Sequence, residues 1–292
     1  MAMTPKLALL LCLFATWVSS SPQAKPAPSN LPEPVTLLGY DGDAMEPFVT
    51  RDGEYLFFNN RNGPKDQTDL HWAQRINDLA FRYRGRVDGA NSAELDGVPS
   101  MSAAGRFCHI STRAYRETLA TVFCGTWREG RLTGSTLQTK ASPHVPGDLI
   151  FDAEVSASGN TLVVAQGRFR GAGFPQTADL RQARWNGVEF ILTPGDDHLF
   201  ARLNTKALEY APALSANGLT LAFTRLEGSG PFARSSFWLA KRKTTTEPFG
   251  VPIKIKTDQG FVEAPTFSAD GTMIYDHRRI AGRYSIWRVR VP

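Results

Sequence analysis

Long apolar runs, cysteines and concentrated charge are all scarce in this 292-residue chain. Beyond the N-terminus no segment approaches the twenty or so apolar residues needed to cross a bilayer, so no transmembrane segment is expected. The 33 lysines and arginines never gather into a run of five, which leaves nucleic-acid binding unsupported. The five histidines, His71, His109, His144, His198 and His277, show neither HExxH nor paired spacing, so a metal hydrolase is not indicated and no metal or cofactor is expected. A GxSxG elbow is also missing, which excludes an α/β-hydrolase active site. The sialidase-type Asp-box, with one residue between aspartate and glycine, is absent too, because Asp270 and Gly271 are adjacent.

At the N-terminus, Lys6 precedes the apolar run Leu7 to Val18, followed by the small residues Ser19 to Ser21. This order reads as a secretory signal peptide over 1–20. Residues 21–33 are rich in Pro, Ala and Ser and read as a flexible leader. The expected domain covers 34–292, and the expected location is the periplasm or the exterior.

Five segments align without gaps on a glycine: Gly53, Gly105, Gly159, Gly218 and Gly271, spaced by 52, 54, 59 and 53 residues. Three residues earlier stands a hydroxyl, Thr50, Ser102, Ser156, Ser215 or Ser268. Apolar residues flank each turn, with Val49, Met101, Val155, Leu214 and Phe267 before it and Leu56, Cys108, Leu162, Leu221 and Ile274 after it. Glycine supplies the positive φ that a tight turn between twisted strands requires. The pattern is strand, turn, strand, with one face buried. A third strand in each repeat carries one tryptophan, Trp72, Trp127, Trp185, Trp238 or Trp287, placed as core between repeats.

A period near fifty suits a blade of four antiparallel strands. The expected fold is therefore all-β, a five-bladed β-propeller. The last repeat ends after its third strand, and the segment from Pro34 to Leu38 supplies the strand that closes the ring.

The run of acidic residue, proline, apolar residue, Ser, any residue, Asp or Asn, Gly, apolar strand and arginine is clearest in Glu263 to Arg278 and Glu46 to Arg61. It resembles the WD-like propeller repeat of TolB and its relatives over about residues 34–292. That resemblance implies a propeller used as scaffold, binding protein or enzyme. The chain departs from TolB in having room for neither a sixth blade nor the N-terminal α/β domain.

Cys108 and Cys124 fall opposite each other if the hairpin is symmetric about Arg116, and export permits a disulfide between them. The recurring acids Glu46, Asp96, Asp152, Glu209 and Glu263 are expected to pair with the repeat arginines Arg61, Arg113, Arg168, Arg225 and Arg278. Residues that break the repeat are the places to seek function. These are Glu154 in an inner strand, the turn Asp196, Asp197 and His198, and the loop carrying Arg168, Arg170 and Phe174, with Phe232 and Arg234 in the loop of the next repeat. No catalytic residue is assigned. The leading expectation is a non-catalytic periplasmic binding or scaffold protein, monomeric, recognising an envelope protein or an anionic glycan. The alternative is a carbohydrate-active hydrolase or lyase with its site in the propeller channel and two carboxylates suitably spaced.

Overall fold

The computed structural model describes residues 31–291 except 63–66, 172, 229 and 256–260. The signal peptide and most of the leader lie outside the described residues. No helix among them is long and apolar enough to cross a membrane.

The fold is all-β and of propeller type. Each repeat opens with an inner strand: Met45–Val49, Asp96–Met101, Asp148–Val155, Leu208–Leu214 and Val262–Phe267. The glycine turn follows, then an antiparallel partner: Tyr55–Asn59, Arg106–Ser111, Thr161–Arg168, Thr220–Glu227 and Met273–Ile280. The third strands are Leu70–Asn77, Val122–Arg128, Thr177–Trp185, Arg234–Lys241 and Arg283–Arg290. Each inner strand packs on the next in sequence order, and the fifth packs on the first.

The segment expected to close the ring is divided between two sheets. Glu33 and Pro34 pair antiparallel with Arg288 and Trp287 of the fifth repeat. Thr36–Leu38 instead runs parallel to Ala80–Arg86 of the first. The chain thus crosses from one sheet edge to another within four residues, and Arg288 Nε holds Glu33 at 2.9 Å.

The turns repeat one hydrogen-bond design. In the first repeat the Gly53 amide donates to the Thr50 carbonyl at 2.8 Å, and the Tyr55 amide donates to Thr50 Oγ1 at 3.0 Å. The hydroxyl column read from sequence is therefore a turn lock. Gly53 sits at φ 75°, and a Cβ there would lie 3.2 Å from the Ala269 side chain.

Every inner strand also carries a bulge, marked by a register shift such as that between Met45 and Phe48. At four bulges a non-glycine residue is forced into the left-handed region: Glu46 (φ 50°), Val98 (55°), Ala211 (48°) and Ala264 (55°). The bulge frees the amide of that residue, and a side chain of the preceding repeat accepts it. Asn59 takes Val98 N–H at 3.0 Å, Asp152 takes Ala211 N–H at 3.1 Å and Thr224 takes Ala264 N–H at 3.2 Å. His277 of the fifth repeat takes Glu46 N–H of the first at 3.1 Å. Strain in the backbone is thus stabilised from the neighbouring sheet.

Cys108 and Cys124 stand in register and are joined as a disulfide, with Cα atoms 4.2 Å apart. Among the five repeat tryptophans, Trp127 is buried, whereas the other four are half-buried. Arginine guanidiniums cover Trp185 and Trp238, with Arg106 at 3.7 Å and Arg225 at 4.2 Å from the ring centres.

Candidate active site

The five recurring acids divide into two groups, which corrects the expectation that each pairs with a repeat arginine. Asp96 and Glu209 do so, Asp96 with Arg113 at 2.5 Å and Glu209 with Arg225 at 2.7 Å. The remaining arginines choose other partners: Arg61 binds Asp43 at 2.9 Å, Arg168 binds Asp148 at 2.6 Å and Arg278 binds Asp276 at 2.7 Å. The reason is register. Asp96 and Glu209 stand nine residues before their glycines, Glu263 stands eight, and Glu46 and Asp152 stand seven. Side chains alternate along a strand and each inner strand is bulged, so these offsets send the carboxylates to different places.

Glu46, Asp152 and Glu263 converge around the axis from the first, third and fifth repeats. Glu46 and Glu263 lie close enough that their carboxylate oxygens and a ring nitrogen of His277 are within 4.8 Å of one another, a set that could also hold a cation. Tyr210 of the fourth repeat donates its hydroxyl to Glu263. His277 is opposite Glu263 in the fifth hairpin, and its Nε2 stands 3.2 Å from the Glu263 carboxylate. Among the described residues no lysine or arginine pairs with any of the three acids.

All of these groups are buried. Burial, then the charges of Asp152 and Glu263, push the Glu46 carboxyl well above the usual range, against the opposing pull of His277. Burial and Glu263 do the same to Asp152, and the Ala211 amide offsets only part of it. Burial would lower His277, but the carboxylates of Glu263, Glu46 and Asp276 outweigh it and raise the ring. Tyr210 is held well above the normal phenol range by burial and by Glu263, Asp152 and Glu46. Like charges this close, buried together, oppose the ionisation of Glu46 and Asp152.

Below the acids the axis is nearly filled. A cavity of about 20 Å³ remains, lined by Pro47, Pro99, Pro212 and Pro265 among others, which is room for about one water. Farther down, Arg51 spans the axis to Glu154 at 2.7 Å and to the Leu214 carbonyl at 2.8 Å.

The residues singled out from sequence lie elsewhere. Glu154 is occupied by Arg51 and by the Leu214 amide at 2.8 Å. Asp196 binds Arg184 at 2.5 Å, Asp197 binds Arg181 at 2.9 Å and His198 Nδ1 contacts the Gly195 carbonyl at 2.8 Å. All three belong to the turn Pro194–Phe200. Arg168 and Asp197 line one polar groove. Arg170 is exposed, as are Phe174 at 61 % and Phe232 at 77 %. Arg234 opens the third strand of the fourth repeat and donates to the Ala233 carbonyl at 2.9 Å. The sequence signal for the axial acids was present but was read as one class. Aligned by distance from the glycine, Glu46 and Asp152 share a column with Val98, Ala211 and Ala264, and His277 shares one with Asn59, Ser111, Ala165 and Thr224.

No protein-family model and no curated protein sequence matches the chain. Solved structures do. A structure titled glycoside hydrolase aligns at TM-score 0.57 and 13 % identity, over 90 % of this chain and 91 % of its own. The GH62 α-L-arabinofuranosidase catalytic domain of Coprinopsis cinerea aligns at 0.54 and 9 %, over 90 % and 97 %. A family 117 glycoside hydrolase of Zobellia galactanivorans aligns at 0.53 and 11 %, over 89 % and 90 %. The shared feature is the propeller fold. TolB of Acinetobacter baumannii aligns at only 0.46, which is too loose to favour that family. The expectation of a non-catalytic binding or scaffold protein is corrected by this set. Structures aligned over about nine tenths of this chain are titled as glycoside hydrolases rather than as binding or scaffold proteins.

Proposed function

We propose that this chain is a glycoside hydrolase acting with the carboxylates at the mouth of its propeller. The observation that carries the reading is the convergence of Glu46, Asp152 and Glu263 without an arginine or lysine partner. Glu46, held protonated by burial and its acidic neighbours, serves as general acid toward the glycosidic oxygen. Glu263 gathers the donors of the cluster and serves as base or nucleophile. Asp152 shares the remaining proton with the pair, and Tyr210 positions Glu263. In this reading the chain is a five-bladed ring closed by Glu33–Pro34, exported by the N-terminal signal and carrying the Cys108–Cys124 disulfide in an oxidising compartment.

The test is release of reducing ends from a panel of neutral arabinans, xylans and galactans, with a polygalacturonate as the charged comparison. Glu263→Gln is expected to lose on the order of 10²–10⁴ in rate while keeping its melting temperature. A well-folded protein that cleaves no member of the panel, or a Glu263→Gln variant as active as the parent, rejects the reading.

A further inference from the structure

The third repeat carries a second cavity away from the axis. Its floor is one face of the sheet, where Asp148, Arg168 and Thr177 form one cross-strand row and Gln166 and Asp179 the next, with Arg181 beyond. The far wall is the connection to the fourth repeat, through Asp197 and Asn204. The groove holds about 350 Å³, against about 20 Å³ on the axis. Alternation explains the floor: Gln166 and Arg168, then Thr177, Asp179 and Arg181, are spaced by two along adjacent strands.

The chemistry of this groove is narrow. Arg168 is matched bidentately to Asp148, with Nε at 2.6 Å and Nη2 at 3.0 Å. Arg181 is matched the same way to Asp197, at 2.9 and 3.0 Å, and also donates to Gln166 at 2.7 Å. Both cations are thus neutralised within the groove. Asp179 has no arginine of its own, and burial together with the charge of Glu209 raises its carboxyl toward the neutral form. The groove is polar yet carries no net positive charge, so it favours neither a polyanion nor an apolar ligand. It presents fixed planar donors and acceptors side by side, the pattern that engages neighbouring hydroxyls. The chain between Arg168 and Thr177, both of which line the groove, carries an exposed aromatic side chain, Phe174.

Its location links it to the axis. Asp148 and Asp152 are four residues apart on one strand, so the groove begins roughly 13 Å from the acid cluster. Glu209, which faces Asp179, adjoins Tyr210, which binds Glu263.

We propose that this groove is a distal subsite for a neutral oligosaccharide whose cleaved end lies at Glu46 and Glu263, an inference that rests on the hydrolase reading. It makes the preferred substrate a chain several sugars long and uncharged, in contrast to the anionic glycan expected from the sequence.

The experiment measures binding of arabinan-, xylan- and galactan-derived hexasaccharides, their disaccharides and a hexagalacturonate to Glu263→Gln protein by calorimetry. A neutral hexasaccharide is expected to bind at least tenfold tighter than its disaccharide. Asp179→Ala, Phe174→Ala and Thr177→Arg, which places bulk in the groove without removing a polar contact, are each expected to reduce that advantage by about tenfold. Melting temperatures within a few degrees of the parent show that the fold is kept. Equal binding of long and short chains, no effect of the groove substitutions, or tighter binding of hexagalacturonate overturns the subsite. Hydrolysis by the parent protein with no groove effect rejects the subsite alone. A groove effect without hydrolysis by the parent rejects the catalytic reading alone.

Discussion

Arg51, in the turn of the first repeat, extends across the axis to Glu154 in the third, 103 positions later, and their charged atoms meet at 2.7 Å. Both side chains are buried, and Glu154 also accepts the Leu214 amide of the fourth repeat. Two residues therefore tie three repeats together on the side of the acids nearer the glycine turns. Burial raises the Glu154 carboxyl, while Arg51 and the Leu214 amide oppose that shift.

Removing one partner strands a buried charge. Arg51→Ala is expected to cost about 3–5 kcal/mol of stability, read as a lower urea midpoint. Arg51→Met combined with Glu154→Leu removes both charges and should recover most of that loss. A single substitution costing under 1 kcal/mol would show that the tie is solvated.

Glu46 predicts a pH dependence of opposite sign to the usual carboxylate. Its folded-state pKa lies well above that of an ordinary glutamate carboxyl because burial and the neighbouring acids disfavour its charge. Between the unfolded and folded values the native state holds more protons than the unfolded chain, so its contribution is full below about pH 4.5 and is lost as pH rises. Glu46→Gln should therefore be stabilised relative to the parent increasingly from pH 5 to pH 8, while losing activity. Parallel stability curves for the two proteins would contradict this.

Tyr210 touches Glu263 and not the scissile bond, so its effect should be indirect. Tyr210→Phe removes the hydroxyl that donates to Glu263 and so loosens the orientation of its carboxylate. The expected outcome is a kcat reduced by about tenfold or more with KM nearly constant. An unchanged kcat would leave Tyr210 a packing residue.

The Cys108–Cys124 bridge closes a short loop, with a sequence separation of 16. On the loop-entropy model its removal by paired substitution to alanine should cost about 3 kcal/mol. Thiol titration of the protein unfolded without reductant should find neither sulfur free. Two titratable thiols would show that the bridge is not formed.

The architecture was largely legible from the five glycines, because a turn with positive φ tolerates few alternatives and the flanking apolar columns fix which faces are buried. The division of Pro34 to Leu38 between two sheets was not legible, since a short apolar strand signals pairing but not its partner. The axial acids were misread for a related reason. A difference of one or two residues in distance from the glycine looks minor in sequence, yet across a bulge it separates an acid bound to arginine from one facing the axis.

Sequence alone determined the repeat, the turn chemistry and the facing positions of Cys108 and Cys124, all of which depend on local backbone geometry and strand alternation. Only the tertiary structure brought Glu46, Asp152, Tyr210, Glu263 and His277 together. They come from four repeats spread over more than two hundred residues, and the contacts among them form only when the inner strands meet around one axis.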